Sequence, residues 1–145
     1  MNDGLSLKDM KIAVVGLGYV GMPLAVALAK YGPVIGYDVN AQRVKDLKEG
    51  WDSNREIRQS VLRASSCQFT DTINDIAAAN LYIVTVPTPI DADNKPDLRI
   101  IETATASLGA LIKPGDIIVY ESTVYPGVTE DICGRILEDK SGLKS

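Results

Sequence analysis

The pattern that most constrains this chain is a group of three glycines, Gly16, Gly18 and Gly21, between an apolar run and a helix-forming run. Residues 12–15 are all apolar and mostly β-branched, which is typical of a strand buried on both faces of a parallel sheet. Residues 23–30 are dominated by helix formers and end at a Gly-Pro pair. The chain is therefore predicted to pass from a buried strand, through a glycine turn, into a helix.

The glycines have the spacing of a dinucleotide-binding loop, because Gly16-Leu17-Gly18-Tyr19-Val20-Gly21 matches G-x-G-x-x-G at a strand-to-helix junction. The first glycine permits the tight turn, the second leaves room for a pyrophosphate, and the third lets the helix pack closely on the strand. The helix N-terminus attracts negative charge. We therefore predict that this loop binds a dinucleotide, with Tyr19 and Val20 included among the binding residues.

The cofactor choice is predicted from Asp38 and Arg43. Asp38 closes the second predicted strand, near the spacing of about 20 residues at which an acid hydrogen-bonds the adenosine ribose. A carboxylate there repels a 2′-phosphate, so NAD is favoured over NADP. Arg43 is a candidate contact to the adenosine end or to a 2′-phosphate, and its alternative is a solvated helix charge. The alternative for the whole motif is a simple glycine turn, with Asp38 only beginning the turn to Asn40.

The remaining segments continue the alternation of strands and helices. Apolar runs predict strands over 34–38, 67–69, 81–86 and 117–120. Capping residues and helical spacing predict helices over 41–49 after Asn40, over 55–63 after Asn54, from Asp71 to Ala79, over 98–113, and from Gly127 to Ser141. This order implies an α/β fold with a doubly wound parallel sheet, the Rossmann fold, whose ligand crevice lies beyond the C-terminal ends of the strands.

Two predicted strands end in loops suited to that crevice. Val86-Pro87-Thr88-Pro89 is stiffened by its prolines, so Pro87 and Thr88 are predicted to line the cofactor site, the alternative being a stiff loop alone. The next such loop is Glu121-Ser122-Thr123-Val124-Tyr125-Pro126-Gly127. The hydroxyls of Ser122 and Thr123 are predicted to face the nicotinamide, and helix capping is the alternative.

Composition excludes several classes of partner. The 145 residues have room for one domain, which we predict to span 1–145 with residues 1–9 as a leader extension. These first residues lack the pattern of a secretory signal, so we expect the protein to lie in the cytoplasm. A net charge of −4 without a basic run predicts no nucleic acid partner. The apolar runs are far shorter than the roughly 20 residues that cross a bilayer, so no membrane partner is expected.

Histidine is absent, which removes the commonest metal ligand and the commonest general base at neutral pH. The two cysteines, Cys67 and Cys133, lack the spacing of a zinc site or a disulfide framework. We predict that both are reduced thiols in the core without a catalytic role, and that the chain holds no metal.

Four motifs in the right order resemble the UDP-glucose/GDP-mannose dehydrogenase family over nearly the whole chain. They are Gly16-Leu17-Gly18-Tyr19-Val20-Gly21-Met22-Pro23-Leu24-Ala25, Tyr37-Asp38-Val39-Asn40, Val86-Pro87-Thr88-Pro89 and the loop at residues 121–127. Within that family, Lys95-Pro96-Asp97-Leu98 and the run from Tyr120 to Gly127 resemble the branch that oxidises UDP-N-acetylhexosamines for surface polysaccharides.

The resemblance implies an enzyme that oxidises the C6 alcohol of a UDP-sugar to the uronate, consuming two NAD through a cysteine thiohemiacetal and a thioester. It assigns the glycine loop, Asp38 and Arg43 to cofactor binding, places Thr88 and Thr123 on the nicotinamide side, and gives Thr123 a supporting role in catalysis. The nucleophilic cysteine, with its lysine, asparagine and aspartate, is expected in a later segment. The complete enzyme is expected to be a homo-oligomer, and the 145-residue chain alone to be inactive.

Two other functions are compatible with a short cofactor-binding domain. A stand-alone NAD-sensing regulatory module would not need the hydroxyl-bearing loops that contain Thr88 and Thr123. A half-domain of a hydroxyacid dehydrogenase would carry different loops after the same two strands. The loops therefore favour the nucleotide-sugar dehydrogenase.

Overall fold

A computed structural model describes residues 9–121 and 127–144. Five parallel strands form one sheet in the order β3-β2-β1-β4-β5. This order reverses between β1 and β4, which is the switch point of a doubly wound Rossmann sheet, and the predicted fold is confirmed. The strands are β1 (Ile12–Val15), β2 (Val34–Tyr37), β3 (Gln68–Thr70), β4 (Leu81–Val84) and β5 (Ile117–Tyr120).

Helices cover the sheet and connect its strands. The α-helices are α1 (Gly21–Leu28), α2 (Ala41–Lys48), α3 (Gln59–Ala64), α4 (Arg99–Gly109) and α5 (Gly134–Ser141), with a 3-10 helix at Ile73–Ile76 and a π-helix at Val128–Cys133.

The sheet separates two apolar cores. Side chains alternate along a strand, so Ile12 and Val14 of β1 join one core while Ala13 and Val15 join the other. Helices α1 and α2 pack into the first core, and α4 and the π-helix pack into the second. Because β1 is buried on both faces, the glycine loop that follows it is anchored to the centre of the molecule.

Helix α1 begins at Gly21, two residues before the predicted start, because the loop itself builds its first turn. The amide of Met22 donates to the carbonyl of Gly18 at 3.1 Å. The backbone of Gly21 lies against the Gly16 carbonyl and the Thr85 hydroxyl, with no room for a Cβ atom. This close approach places the N-terminus of α1 directly above the end of β1.

Two predicted helices are shorter in the structure than the sequence indicated. The helix predicted over 55–63 after Asn54 starts at Gln59, because the Asp52 carboxylate accepts backbone N–H bonds and folds the preceding residues into a turn. In place of the helix predicted from Asp71 to Ala79, the structure has only the 3-10 helix at Ile73–Ile76, preceded by a turn in which the Thr70 hydroxyl accepts the amide of Thr72.

The other boundaries differ by smaller amounts. Strands β2 and β4 end at Tyr37 and Val84, β3 starts one residue after Cys67, and α4 is shorter than predicted. The last predicted helix opens with the π-helix and becomes α-helical at Gly134. The predicted Asn40 cap of α2 is confirmed, because its side chain accepts the amide of Arg43 at 3.1 Å.

We predict that Gly21→Ala destabilises the fold, because the new methyl group would overlap the Gly16 carbonyl and the Thr85 hydroxyl. Overpacking of this kind costs about 1–3 kcal/mol. Urea unfolding measures the loss, and Gly18→Ala is the matched control because its Cβ position has no atom within 4 Å. Equal stability of the two variants would show that α1 does not need this close approach.

Candidate functional site

A cavity of about 810 Å³ lies beyond the C-terminal ends of β1, β2 and β4. The glycine loop and the turn after β2 form its base, and the loop after β4 and one face of α4 form its opposite wall. Its lining residues are Val15, Gly16, Leu17, Gly18, Tyr37, Asp38, Val39, Asn40, Arg43, Asn54, Ile73, Val86, Pro87, Asp97, Arg99, Ile100, Thr103, Ala104 and Ser107.

Hydrogen bonds hold the first two residues of the glycine loop from both sides. The backbone angle φ of Gly16 is +97°, a conformation that glycine adopts without strain. Its amide donates to the Tyr37 carbonyl at 2.8 Å, and its carbonyl accepts the Thr85 hydroxyl at 2.6 Å. The amide of Leu17 donates to the Asp38 carboxylate at 2.9 Å. Beyond these anchors Gly18 faces open space, so a ligand can approach its backbone.

Asp38 joins the glycine loop to the turn that leads into α2. One carboxylate oxygen accepts the amide of Leu17 and the other accepts the amide of Asn40, each at 2.9 Å. Asp38 therefore does begin the turn to Asn40, as one alternative had it. Each oxygen keeps a further acceptor site, and Asp38 also lines the cavity, so a ribose contact stays a prediction.

Arg43 is buried against the glycine loop with 8% of its surface exposed, so the alternative of a solvated helix charge is wrong. Its Nε and Nη2 atoms donate to the Leu17 carbonyl at 2.9 and 2.8 Å. Its Nη1 atom donates to Asp52 at 2.6 Å and to Ser53 at 3.1 Å. Its charge is thus already paired, although it still borders the cavity.

Charged and phenolic groups around the cavity have shifted pKa values. Burial alone would raise the pKa of Asp52, but hydrogen bonds from Arg43 and from the amides of Ile57 and Asn54 outweigh it and lower that pKa. Burial, with the nearby negative charge of two aspartates, raises the pKa of Tyr37. At neutral pH Asp52 is therefore an anion, and Tyr37 is a neutral phenol.

The wall formed by α4 is a part of the site that the sequence interpretation missed. Its cavity-facing residues Ile100, Thr103, Ala104 and Ser107 recur at helical spacing, beside the buried face formed by Ile101, Thr105 and Leu108. This second stripe, which combines the exposed Ile100 with three small or polar residues, was the available signal. At the start of the helix, hydrogen bonds from the Arg99 side chain and amide lower the pKa of Asp97 to about 2.

Other predicted site residues occupy different positions around the cavity. Tyr19 and Val20 lie at the tip of the glycine loop, where Tyr19 is 68% exposed. Pro87 lines the cavity, while the half-buried Thr88 beside it is not among the lining residues. Ser122 and Thr123 lie outside the described residues, as do residues 1–8 of the expected leader.

Cys67 and Cys133 are buried free thiols, as predicted, and they lie in the two different cores. Burial raises the pKa of Cys67 to about 12, so that thiol is protonated and unreactive at neutral pH.

Neither a membrane-spanning helix nor a metal site is found in the described ranges, 9–121 and 127–144. Within those ranges no helix has the length and apolar character to cross a membrane. The same residues contain no group of three histidine, cysteine or acidic side chains that could hold a metal ion.

The parallel sheet, its switch point, and the glycine loop with Asp38 at the mouth of the cavity define a dinucleotide-binding domain. Residues 10–145 match the sequence model of the UDP-glucose/GDP-mannose dehydrogenase family, NAD binding domain. The chain belongs to this family, and its cofactor is NAD.

Individual relatives support the assignment. UDP-N-acetyl-D-glucosamine 6-dehydrogenase of Pseudomonas aeruginosa is 50% identical over 139 residues, which cover 95% of this chain and 33% of that protein. The structure of UDP-D-ManNAc dehydrogenase from Pyrococcus horikoshii superposes with a TM-score of 0.84 at 34% identity, covering 94% and 34% of the two chains. A ternary complex of GDP-mannose dehydrogenase from Pseudomonas aeruginosa has a TM-score of 0.84 at 28% identity, covering 93% and 33%. The chain spans about a third of the length of the curated relatives it matches.

We predict that Gly18→Val abolishes NAD binding while the fold survives, because its branched side chain would enter the space that the pyrophosphate needs. Titration calorimetry measures the binding, and circular dichroism checks the fold. Normal NAD binding by a folded variant would place the pyrophosphate elsewhere.

We also predict that NAD binds more tightly than NADP, by about tenfold or more, because a 2′-phosphate would lie beside the Asp38 carboxylate. Arg43 offers little compensation, since its charge is paired with Asp52. Titrations with both cofactors under the same conditions test this selectivity. Equal or tighter NADP binding would mean that Arg43 decides the choice of cofactor.

Proposed function

We propose that this chain is the NAD-binding domain of a UDP-sugar 6-dehydrogenase that acts on a UDP-N-acetylhexosamine. The observation that carries the proposal is the 50% identity, over 95% of the chain, to UDP-N-acetyl-D-glucosamine 6-dehydrogenase. The cavity supports it, because it lies where the glycine loop, Asp38 and the loop after β4 meet. We further propose that residues 1–145 form one domain, with residues 1–9 as an extension.

The described residues suit NAD along the length of the cavity. The glycine loop and the N-terminus of α1 would hold the pyrophosphate, and Asp38 would accept hydrogen bonds from the adenosine ribose. Pro87 and Thr88, with Ser122 and Thr123, would border the nicotinamide. Bound NAD would supply the hydride acceptor, while the protein would bind and orient both reactants.

The proposed reaction oxidises the C6 alcohol of the sugar to a carboxylate. Each of the two oxidations transfers one hydride to NAD and releases a proton, one water molecule supplies the second carboxyl oxygen, and ionisation of the acid to the carboxylate releases a third proton. Thr123 is proposed to support this chemistry. Neither Cys67 nor Cys133 is placed to act as the nucleophile, because both are buried in the cores.

The wider setting is also proposed. We place the complete enzyme in the cytoplasm as a homo-oligomer that makes a uronate for surface polysaccharides. Its substrate partner is a UDP-sugar, as the names of the relatives from Pseudomonas aeruginosa and Salmonella typhi indicate for those proteins.

We predict that the 145-residue chain binds NAD but forms no NADH from UDP-N-acetylglucosamine, because binding a cofactor does not by itself stabilise the transition state. A chimera tests whether the chain supports oxidation of the UDP-sugar within a complete enzyme. In this chimera, the chain replaces the matching third of the Pseudomonas aeruginosa 6-dehydrogenase. Absorbance of the reduced nicotinamide should show two NADH for each UDP-N-acetylglucosamine consumed.

The Gly18→Val chimera is the control, since it keeps all other residues and should form no NADH. Steady NADH formation by the chain alone would contradict the proposal that this chain binds NAD without catalysing the oxidation by itself. A folded chimera that binds NAD without turnover would instead favour an NAD-sensing module.

A further inference from the structure

Asp52 is a fully buried carboxylate on which the turn before α3 is folded. Its side chain has no exposed surface and pairs with Arg43 at 2.6 Å. It also accepts the backbone amides of Asn54, Glu56 and Ile57, at 3.0, 2.9 and 2.9 Å. Because it is enclosed on all sides, Asp52 cannot touch a ligand in the cavity.

Arg43 extends this network to the glycine loop. The same guanidinium that pairs with Asp52 donates twice to the Leu17 carbonyl. A trans peptide is planar, with its C=O and N–H pointing in opposite directions. When Arg43 holds the Leu17 carbonyl, it therefore also turns the N–H of Gly18 away from the guanidinium.

The residues that follow also carry amides that are not bonded within the protein. Among residues 9–121 and 127–144, the amides of Gly18, Tyr19 and Val20 have no protein acceptor. Free amides at a helix N-terminus are the groups that bind a phosphate. Their directions depend on the orientation of the Leu17–Gly18 peptide, which the Arg43 guanidinium holds from beneath.

We propose that Asp52 is a positioning residue for the cofactor pyrophosphate, acting through Arg43 on the Leu17 carbonyl. Asp52 binds one side of the Arg43 guanidinium, and the Leu17 carbonyl accepts hydrogen bonds from the other side. The amides of residues 18–20 are thereby held in the directions that the pyrophosphate requires. This inference rests on the proposed position of the pyrophosphate at the glycine loop.

A role in folding alone would have a different signature. Replacing a buried ion pair often leaves stability unchanged or improved, whereas removing one partner destabilises the fold. Loss of a purely structural residue would lower the fraction of folded protein. The apparent affinity would then fall equally for every fragment of the cofactor. Loss of a positioning residue weakens only those ligands that carry the pyrophosphate.

Asp52→Asn tests this distinction, because it keeps the shape of the side chain and removes its charge. Calorimetry with NAD, ADP-ribose and adenosine compares ligands with and without the pyrophosphate, at temperatures where the variant is folded. We expect NAD and ADP-ribose to bind about tenfold more weakly. Adenosine affinity should stay within about twofold of the unmodified chain.

Two matched variants control for charge and stability. Asp139→Asn removes one exposed carboxylate on α5. Ile12→Val trims the core at the start of β1, the opposite end of the sheet from the cavity. Both controls should leave the affinities for all three ligands unchanged.

A double-mutant cycle with Arg43→Lys tests whether Asp52 acts through Arg43. A lysine keeps the positive charge but cannot span the Leu17 carbonyl and Asp52 with several donors. If Asp52 acts only through Arg43, Asp52→Asn should cause almost no further loss of NAD affinity in the Arg43→Lys variant. Additive losses would contradict the proposed path.

The remaining outcomes are also decisive. Unchanged NAD affinity in folded Asp52→Asn, or an equal loss for adenosine, would overturn the proposal. If Asp52→Asn does not fold, Asp52→Glu keeps the charge while displacing the carboxylate, and the same ligand-selective loss is expected. Normal NAD binding by Gly18→Val would instead refute the pyrophosphate position itself, which separates that failure from a failure of the Asp52 role.

Discussion

The close approach of Gly21 to the end of β1 is the constraint on which the rest of the site depends. Its backbone lies where any Cβ atom would meet the Gly16 carbonyl and the Thr85 hydroxyl. The N-terminus of α1 is thereby brought above the centre of the sheet, at the switch point between β1 and β4. A helix displaced outward would direct its free amides away from the cavity, and the anion site would be lost.

Charges are distributed so that the loop is held rigidly without an unpaired buried group. Asp38 holds the amide of Leu17, Arg43 holds its carbonyl, and Asp52 neutralises Arg43. In the part of the chain that the structure describes, no buried side-chain nitrogen or oxygen lacks a hydrogen-bond partner. Local hydrogen bonds thus leave the amides of residues 18–20 available for a ligand.

Sequence patterns predicted those features that depend on local chemistry. The glycine turn, the buried β1 strand, the Asn40 cap and the helix end before Gly142 each follow from residue types at fixed spacing. The family followed from four motifs taken together. None of these predictions required knowledge of which distant residues meet.

Features that depend on distant partners were not predictable in the same way. Arg43 was predicted as a contact to the adenosine end or, alternatively, as a solvated charge, and neither interpretation included its actual acceptors, because Leu17 and Asp52 lie 26 and 9 residues away in the sequence. The turn at Asp52 had only the weak signal of an Asp-Ser-Asn run, which is typical of turns. The α4 wall was hidden because its small polar residues resemble an ordinary exposed face until the cavity forms against it.

We propose that NAD lies in the cavity at the end of β1, β2 and β4, with its pyrophosphate on the glycine loop. A crystal structure of this chain with NAD tests it most directly. In that structure, phosphate oxygens should lie within hydrogen-bond distance of the amides of residues 18–20, and the adenosine ribose should lie against Asp38. NAD bound elsewhere, for example in the cavity lined by Gly50 and Arg63, would refute this binding mode.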